Sequence, residues 1–224
     1  MSDPWEEHAA WWQREFTDGA DLEYVEQILP LIVGHLPDGG RLVDIGCGEG
    51  QVARLGAARR GMRAQVLEGR ARAGGPQYCQ GSATSLCLRD GSVDAAVACL
   101  VFEHIDDVDA AIAEVARVLA PGGRFLLLLN HPLLQTPGSG WIDDQVLDPP
   151  EQYWRVGPYL VEGDTVEQVE PGVFIRFYHR PLSRYLNTAA DLGPRLVRTA
   201  EPAPPPGFRS QPAAYPAAAS TPRP

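Results

Sequence analysis

Leu42-Val43-Asp44-Ile45-Gly46-Cys47-Gly48-Glu49-Gly50 decides the fold of this chain. The apolar run Leu42, Val43 and Ile45 predicts a buried strand over Arg41 to Ile45. Glycines on alternate positions then turn the chain into a helix predicted from about Glu49 to Arg60. Glycine suits such a turn because it tolerates positive φ and lets a ligand lie directly against the backbone. The first amides of a helix lack intrahelical partners, and the crevice at a strand's carboxyl end is where open α/β sheets bind nucleotide-like ligands. The dinucleotide fingerprint G-x-G-x-x-G requires glycine at position 51, where this chain has Gln51, so the spacing is G-x-G-x-G. Asp44, two residues before the first glycine, suits a ligand carrying positive charge better than one carrying a pyrophosphate.

Two further stretches follow in order. Leu88-Arg89-Asp90-Gly91-Ser92-Val93-Asp94-Ala95-Ala96-Val97 reads as a turn entering a strand, and Arg117-Val118-Leu119-Ala120-Pro121-Gly122-Gly123-Arg124-Phe125 as a helix end, a turn and another strand. With these three stretches the chain resembles the class I S-adenosylmethionine-dependent methyltransferases, in particular the small-molecule type related to ubiquinone-biosynthesis methyltransferases, over roughly residues 42 to 130. The resemblance implies a Rossmann-like, doubly wound α/β fold with a mainly parallel sheet. It also implies S-adenosyl-L-methionine as cofactor, whose ammonium and sulfonium match the carboxylate of Asp44. Gly46, Cys47, Gly48 and Gly50 would cradle it. Gly81-Ser82-Ala83 stands where the family often has Gly-Asp-Ala, so Ser82 and Ala83 would line the adenine pocket through backbone groups. Leu100 and His104 follow the fourth strand, at its ligand-binding end.

Composition bounds the rest. A chain of 224 residues, 44% hydrophobic, can bury one core and carry a cap. A net charge of -10 without a basic stripe disfavours nucleic acid and favours a small-molecule partner. All 19 basic residues are arginine, which removes P-loop lysine and Schiff-base chemistry. Cys47, Cys79, Cys87 and Cys99 show no C-x-x-C pairing and read as reduced core residues, and the five histidines show no metal-ligand spacing. No leader pattern or membrane span is visible, which predicts a cytoplasmic protein.

Residues 1–40 predict a helical lid, with helices over Glu6 to Phe16 and Asp21 to Leu36 broken at Asp18-Gly19. Its aromatics Trp11, Trp12, Phe16 and Tyr24 either pack onto the sheet or shield the cofactor from water. Residues 41–130 form the cofactor-binding core. A third strand is predicted over Gln77 to Gln80, a fourth over Val93 to Cys99, a helix over Asp107 to Leu119, and a central fifth strand over Arg124 to Asn130 because Phe125 to Leu129 is apolar throughout. Residues 131–171 form an irregular, aromatic-rich substrate cap. Residues 172–200 return to the core with a strand (Gly172 to His179), a helix (Pro181 to Leu192) and a short strand (Arg195 to Thr199). Residues 201–224 hold eight prolines and six alanines and read as disordered, which leaves no final antiparallel strand.

Between helix and third strand, Met62 to Pro76 is too short for both a strand and a crossover. Two readings stay open: Ala64 to Leu67 is the second strand and Glu68 binds the ribose hydroxyls, or Arg63 to Ala73 is helical and Glu68 faces solvent. Gln65 and the Arg70/Arg72 run favour the helix.

Methyl transfer from a sulfonium needs alignment and water exclusion more than catalytic groups, with histidine the usual base for a hydroxyl or acidic carbon. His131, His104 and His179 stand at strand ends. The expectation is methyl transfer to an O, N or C nucleophile. A non-catalytic cofactor-binding protein and a nicotinamide oxidoreductase are the alternatives; Gln51 argues against the last.

Overall fold

The structure, a computed structural model, describes residues 4–16, 21–58, 62–67 and 76–203. Strands β1 (Gly40–Ile45), β2 (Met62–Leu67), β3 (Gln77–Cys79), β4 (Val93–Cys99) and β5 (Leu119–Leu128) form one sheet in the order β3-β2-β1-β4-β5, every pair parallel. Helix α3 (Gln51–Ala57) joins β1 to β2, and α4 (Val108–Val118) joins β4 to β5. The sheet is thus doubly wound, with its chain reversal between β1 and β4.

Side chains alternate across each strand, so the apolar runs of β1 and β4 feed two cores. Val43, Ile45, Ala96 and Ala98 face Ile112 and Val115 of α4 and Tyr185 of α5 (Leu182–Asp191). Leu42, Ala95, Val97 and Cys99 face Val52 and Ala53 of α3 and Ile32 of α2 (Leu29–His35), which continues a π-helical turn, Tyr24–Ile28. Burying a large aliphatic side chain contributes roughly 1.5–3 kcal/mol, so residues 0–1% exposed on both faces make β1 and β4 the sheet's anchor. Asp107 starts α4 by accepting the Ala110 amide at 3.0 Å.

Several expectations are corrected. The second strand exists, paired with β1 from Gly40↔Met62 to Ile45↔Leu67, so the helical reading of this stretch fails. Ladder bonds to an already buried neighbour outweigh the local preference suggested by Gln65. Among the described residues strand β5 is an edge, not central, and is half-buried. It begins at Leu119, with the register slipping between the pairs Val93↔Leu119 and Ala95↔Arg124, so Pro121-Gly122-Gly123 bulges inside it. The stretch from Arg195 to Thr199 forms no strand; it runs irregularly, and the following residues are tied back by Gln27 Nε2 donating to the Ala203 carbonyl at 2.6 Å.

The stretch expected as an irregular cap contains regular pairing. β6 (Gly140–Asp144) pairs antiparallel with β7 (Glu151–Arg155), Trp141 opposite Trp154 with ring centroids 5.6 Å apart. β8 (Gly163–Glu170) pairs antiparallel with β9 (Val173–His179). Both faces of β8 are largely exposed, so no apolar alternation marks it in the sequence. Cys79 and Cys87 are disulfide-bonded, contrary to the expectation of four thiols; Cys47 and Cys99 are reduced. Among the described residues no helix is long and apolar enough to cross a membrane. Asp18-Gly19, Glu68 and 204–224 lie outside the described residues.

Candidate functional site

The glycine turn follows β1 at the sheet's carboxyl edge. Gly46, Gly48 and Gly50 all have positive φ, at 66°, 53° and 85°. At Gly46 an added Cβ would penetrate Val101, which follows β4, and at Gly50 it would meet the Tyr78 hydroxyl at 2.5 Å. Close approach as well as φ therefore requires glycine at both. Tyr78 Oη donates to the Glu49 carbonyl at 2.9 Å, fixing the turn to β3.

Asp44 is 2% exposed beneath this turn. Its Oδ2 accepts the Ala53 amide at 3.0 Å, satisfying one of the orphan donors in the first turn of α3. Burial pushes its carboxyl up to about 7, against the opposing pull of that amide and of Arg54. Arg54 itself pairs with Glu49 Oε1 at 3.1 Å. A buried carboxylate with a raised pKa and no salt bridge among the described residues suits a cationic ligand group.

Helix α1 (Pro4–Phe16) lies against the turn. The Trp12 indole nitrogen is 3.4 Å from where a Gly48 Cβ would stand, and Gln51 Nε2 donates to the Phe16 carbonyl at 2.8 Å. Trp12 stacks on Phe16, centroids 4.2 Å apart. Cys47 is half-buried in the turn.

Leu100, Ser82 and Ala83, also expected at the cofactor, follow strands β4 and β3 in the chain. Leu100 follows β4 with φ 54°, rare outside glycine, and its amide donates to the Leu128 carbonyl at 3.0 Å. Ser82 is exposed, its Oγ 2.8 Å from Thr84 Oγ1, while Ala83 packs on the core. The Cys79–Cys87 disulfide closes the loop that carries both. Glu68 is the residue after Leu67, whose partner in β1 is Ile45.

The three candidate histidines differ in what they face. His104 is half-buried, its Nδ1 2.8 Å from the Arg176 carbonyl and its ring on Phe177; burial lowers its pKa. It fastens β9 to the turn after β4. His131 accepts the Leu133 amide at Nδ1, 3.2 Å, and its Nε2 meets Glu201 Oε1 at 3.1 Å. Both of its ring nitrogens are engaged. His179 is 5% exposed; its Nε2 is 2.8 Å from the Tyr159 carbonyl, which can only accept, so Nε2 carries the proton and Nδ1 presents a lone pair. That Nδ1 has no hydrogen-bond partner among the described residues.

Sequence reasoning missed what surrounds His179. Glu103 and Arg180, 7% and 6% exposed, flank a cavity of about 20 Å³ with His179, at the carboxyl ends of β4 and β9. Glu103 Oε1 accepts Asn130 Nδ2 at 3.1 Å, and Arg180 Nη2 donates to the Ile105 carbonyl at 2.9 Å. Glu103 Oε2 and Arg180 Nη1 have no partner among the described residues. Burial raises the Glu103 carboxyl to about 7. The signal in the sequence was position: Glu103 follows a parallel strand's carboxyl end, where it reads equally as a solvated helix start.

Residues 43–127 match a family model described as a methyltransferase domain. The chain is similar to the malonyl-[acyl-carrier protein] O-methyltransferase of Serratia marcescens, 32% identical over 118 residues, 49% of this chain and 46% of the relative. It is similar also to the ubiquinone/menaquinone biosynthesis C-methyltransferase of Methylobacterium nodulans, 36% identical over 143 residues, 55% of this chain and 54% of the relative. It spans about half the length of these curated relatives. Among solved structures, an S-adenosylmethionine dependent methyltransferase from Mesorhizobium loti matches with TM-score 0.69 and 25% identity, over 83% of this chain and 89% of that one. The match to the methyltransferase domain runs from β1 into β5, residues 43–127.

Proposed function

We propose that the chain is an S-adenosylmethionine-dependent methyltransferase acting on a small-molecule acceptor. The observation that carries the reading is the turn of positive-φ glycines above Asp44, a buried carboxylate poised for a cation, within a segment matching the methyltransferase domain. Gly46, Cys47, Gly48 and Gly50 would offer backbone to the cofactor, Asp44 would balance its positive charge, Glu68 would take the ribose hydroxyls, and Ser82, Ala83 and Leu100 would line the adenine side. The bound cofactor would supply an electrophilic methyl group on sulfonium.

Transfer from such a group is an in-line displacement in which charge disappears. The chain's own part is alignment and exclusion of water. Trp12 and Phe16 of α1, laid on the turn, would provide the exclusion. The net charge of -10 disfavours a nucleic-acid acceptor, and the relatives' names point to small-molecule or carrier-bound acceptors. A full second strand removes one of the reasons for reading the chain as a non-catalytic binder.

Titration calorimetry with S-adenosylmethionine, S-adenosylhomocysteine and NADH tests this. We expect heat from the first two, competition between them and none from NADH; a folded chain that gives no heat with either sulfur compound at millimolar concentration overturns the reading. Release of labelled methyl to a panel of phenols, quinones and amines tests turnover.

A further inference from the structure

The cavity between Glu103, His179 and Arg180 gathers three side chains, each more than nine-tenths buried and each with one unpartnered polar atom among the described residues. A buried polar atom without a partner costs roughly 1–3 kcal/mol, so three around one void indicate a site built for an occupant. The volume of about 20 Å³ admits one water or one polar substituent. Leu129, Pro132 and the Tyr178 ring also line it, an apolar surround suited to a hydrocarbon frame.

Its position joins it to the glycine turn. Strands β1 and β4 are neighbours, Val101 packs directly on Gly46, and Glu103 lies two residues further along the chain. Asn130, just past β5, holds Glu103 Oε1, while Oε2 has no partner among the described residues.

Hydrogen-bond capacity selects the occupant. Arg180 Nη1 only donates, and His179 Nδ1 accepts because its other nitrogen gives its proton to the Tyr159 carbonyl. Burial keeps a proton on Glu103 up to about pH 7, so Oε2 can donate. A hydroxyl has one proton and two lone pairs: it gives the proton to His179 and accepts from Arg180 and Glu103, satisfying all three. A carboxylate has no proton for His179, an ammonium has no lone pair for Arg180, and a neutral amine has one lone pair for two donors.

Resting on the methyl-transfer reading, we propose that this cavity receives the hydroxyl of the methyl acceptor, a phenol or enol, with His179 taking its proton and Arg180 and Glu103 holding its oxygen. The O–H bond breaks with its proton passing to His179 Nδ1. The oxygen lone pair forms the new O–CH₃ bond as the C–S bond breaks, and that electron pair remains on sulfur as a neutral thioether. Arg180 and the Glu103 acid offset the charge that grows on oxygen before the methyl arrives.

The test uses phenol, with aniline and benzoate as comparators, in crystal soaks and calorimetry on the full chain. Phenol oxygen is expected in the cavity, with aniline and benzoate binding at least tenfold more weakly. Glu103 faces Asn130, His179, Arg180 and Tyr185, with His104 adjacent in the chain; of the bonds offered to phenol, only its own is lost on deprotonation. Phenol affinity should therefore fall between pH 6 and pH 8 in the native chain and stay level in Glu103→Gln, whose amide still donates. His179→Phe should weaken phenol at least tenfold; if it fails to fold, the Glu103→Gln profile stands alone as the measurement. Benzoate or aniline binding as tightly as phenol, phenol absent from the cavity, or identical pH profiles for native and Glu103→Gln chains overturns the proposal. Cofactor titration is read separately: phenol in the cavity without cofactor heat would sink methyl transfer and leave the hydroxyl site standing.

Discussion

The Asp44 carboxylate in β1 and the Ala53 amide in α3 are joined by a 3.0 Å hydrogen bond beneath the glycine turn. One acidic side chain therefore fastens the helix that follows the turn and places a carboxyl beneath the glycine backbone. Its structural duty and its proposed binding duty coincide, and conservative changes separate them.

Asp44→Asn keeps an oxygen to accept the Ala53 amide and removes the charge. We expect α3 and the fold to persist by circular dichroism and S-adenosylmethionine affinity to fall by about tenfold or more, since hydrogen bonds to charged groups contribute roughly 1.5–3 kcal/mol. Unchanged affinity in calorimetry would show that Asp44 serves only the helix.

Cofactor affinity should depend on pH through the same group. Asp44 is raised to about 7 in the free chain, and a bound cation favours its ionised form. Below about pH 7 binding must expel a proton, so affinity rises from pH 5.5 to 7.5 and then levels. Calorimetry in two buffers of different ionisation enthalpy reads the released proton, and Asp44→Asn should release none.

Glu103 makes a stability prediction of definite sign. Its carboxyl ordinarily titrates near 4.5 and in the fold near 7, so the folded state holds the proton more tightly. The corresponding stability is present below pH 4.5 and is lost as pH rises to about 7, up to about 3 kcal/mol at 1.36 kcal/mol per unit. In urea unfolding, Glu103→Gln should therefore be more stable than the native chain at pH 8 and lose that advantage toward pH 4.5. An equal gap at both pH values would contradict the burial argument.

Glu68→Ala should weaken S-adenosylmethionine by about tenfold without lowering the melting temperature, because the loss is confined to ligand hydroxyls. A drop in melting temperature with unchanged affinity would assign Glu68 to the fold instead.

Arg117 pins the segment before β4 to α4, donating to the Leu88 and Leu86 carbonyls at 2.8 and 3.1 Å and pairing with Glu114 and Asp90. Arg117→Met should cost about 2 kcal/mol in unfolding free energy and leave cofactor affinity within twofold. An affinity loss as large as that of Asp44→Asn would mean that this clamp also shapes the site.

How far the sequence reached can be seen at particular residues. β4 was legible to the residue, Val93 to Cys99, because both its faces are buried and only Asp94 interrupts its apolar run. Helix α4 was placed within a residue at each end because its apolar spacing and the Asp107 cap are local signals. β5 was read as central from the same kind of run, yet among the described residues it is an edge: its own residues cannot announce that Arg195 to Thr199 will not join the sheet. β8 was missed because its side chains face water and carry no alternation.

The chain's own order of residues determined the strand, turn and helix around 42 to 50, because strand burial and glycine's access to positive φ are properties of a few neighbouring residues. Only the tertiary structure decided between strand and helix for Met62–Leu67, since the bonds that settle it belong to β1. Likewise only packing singled out His179 from three histidines and set Glu103 and Arg180 beside it, because that convergence depends on how β4, β5 and β9 end at one edge, which no local pattern records.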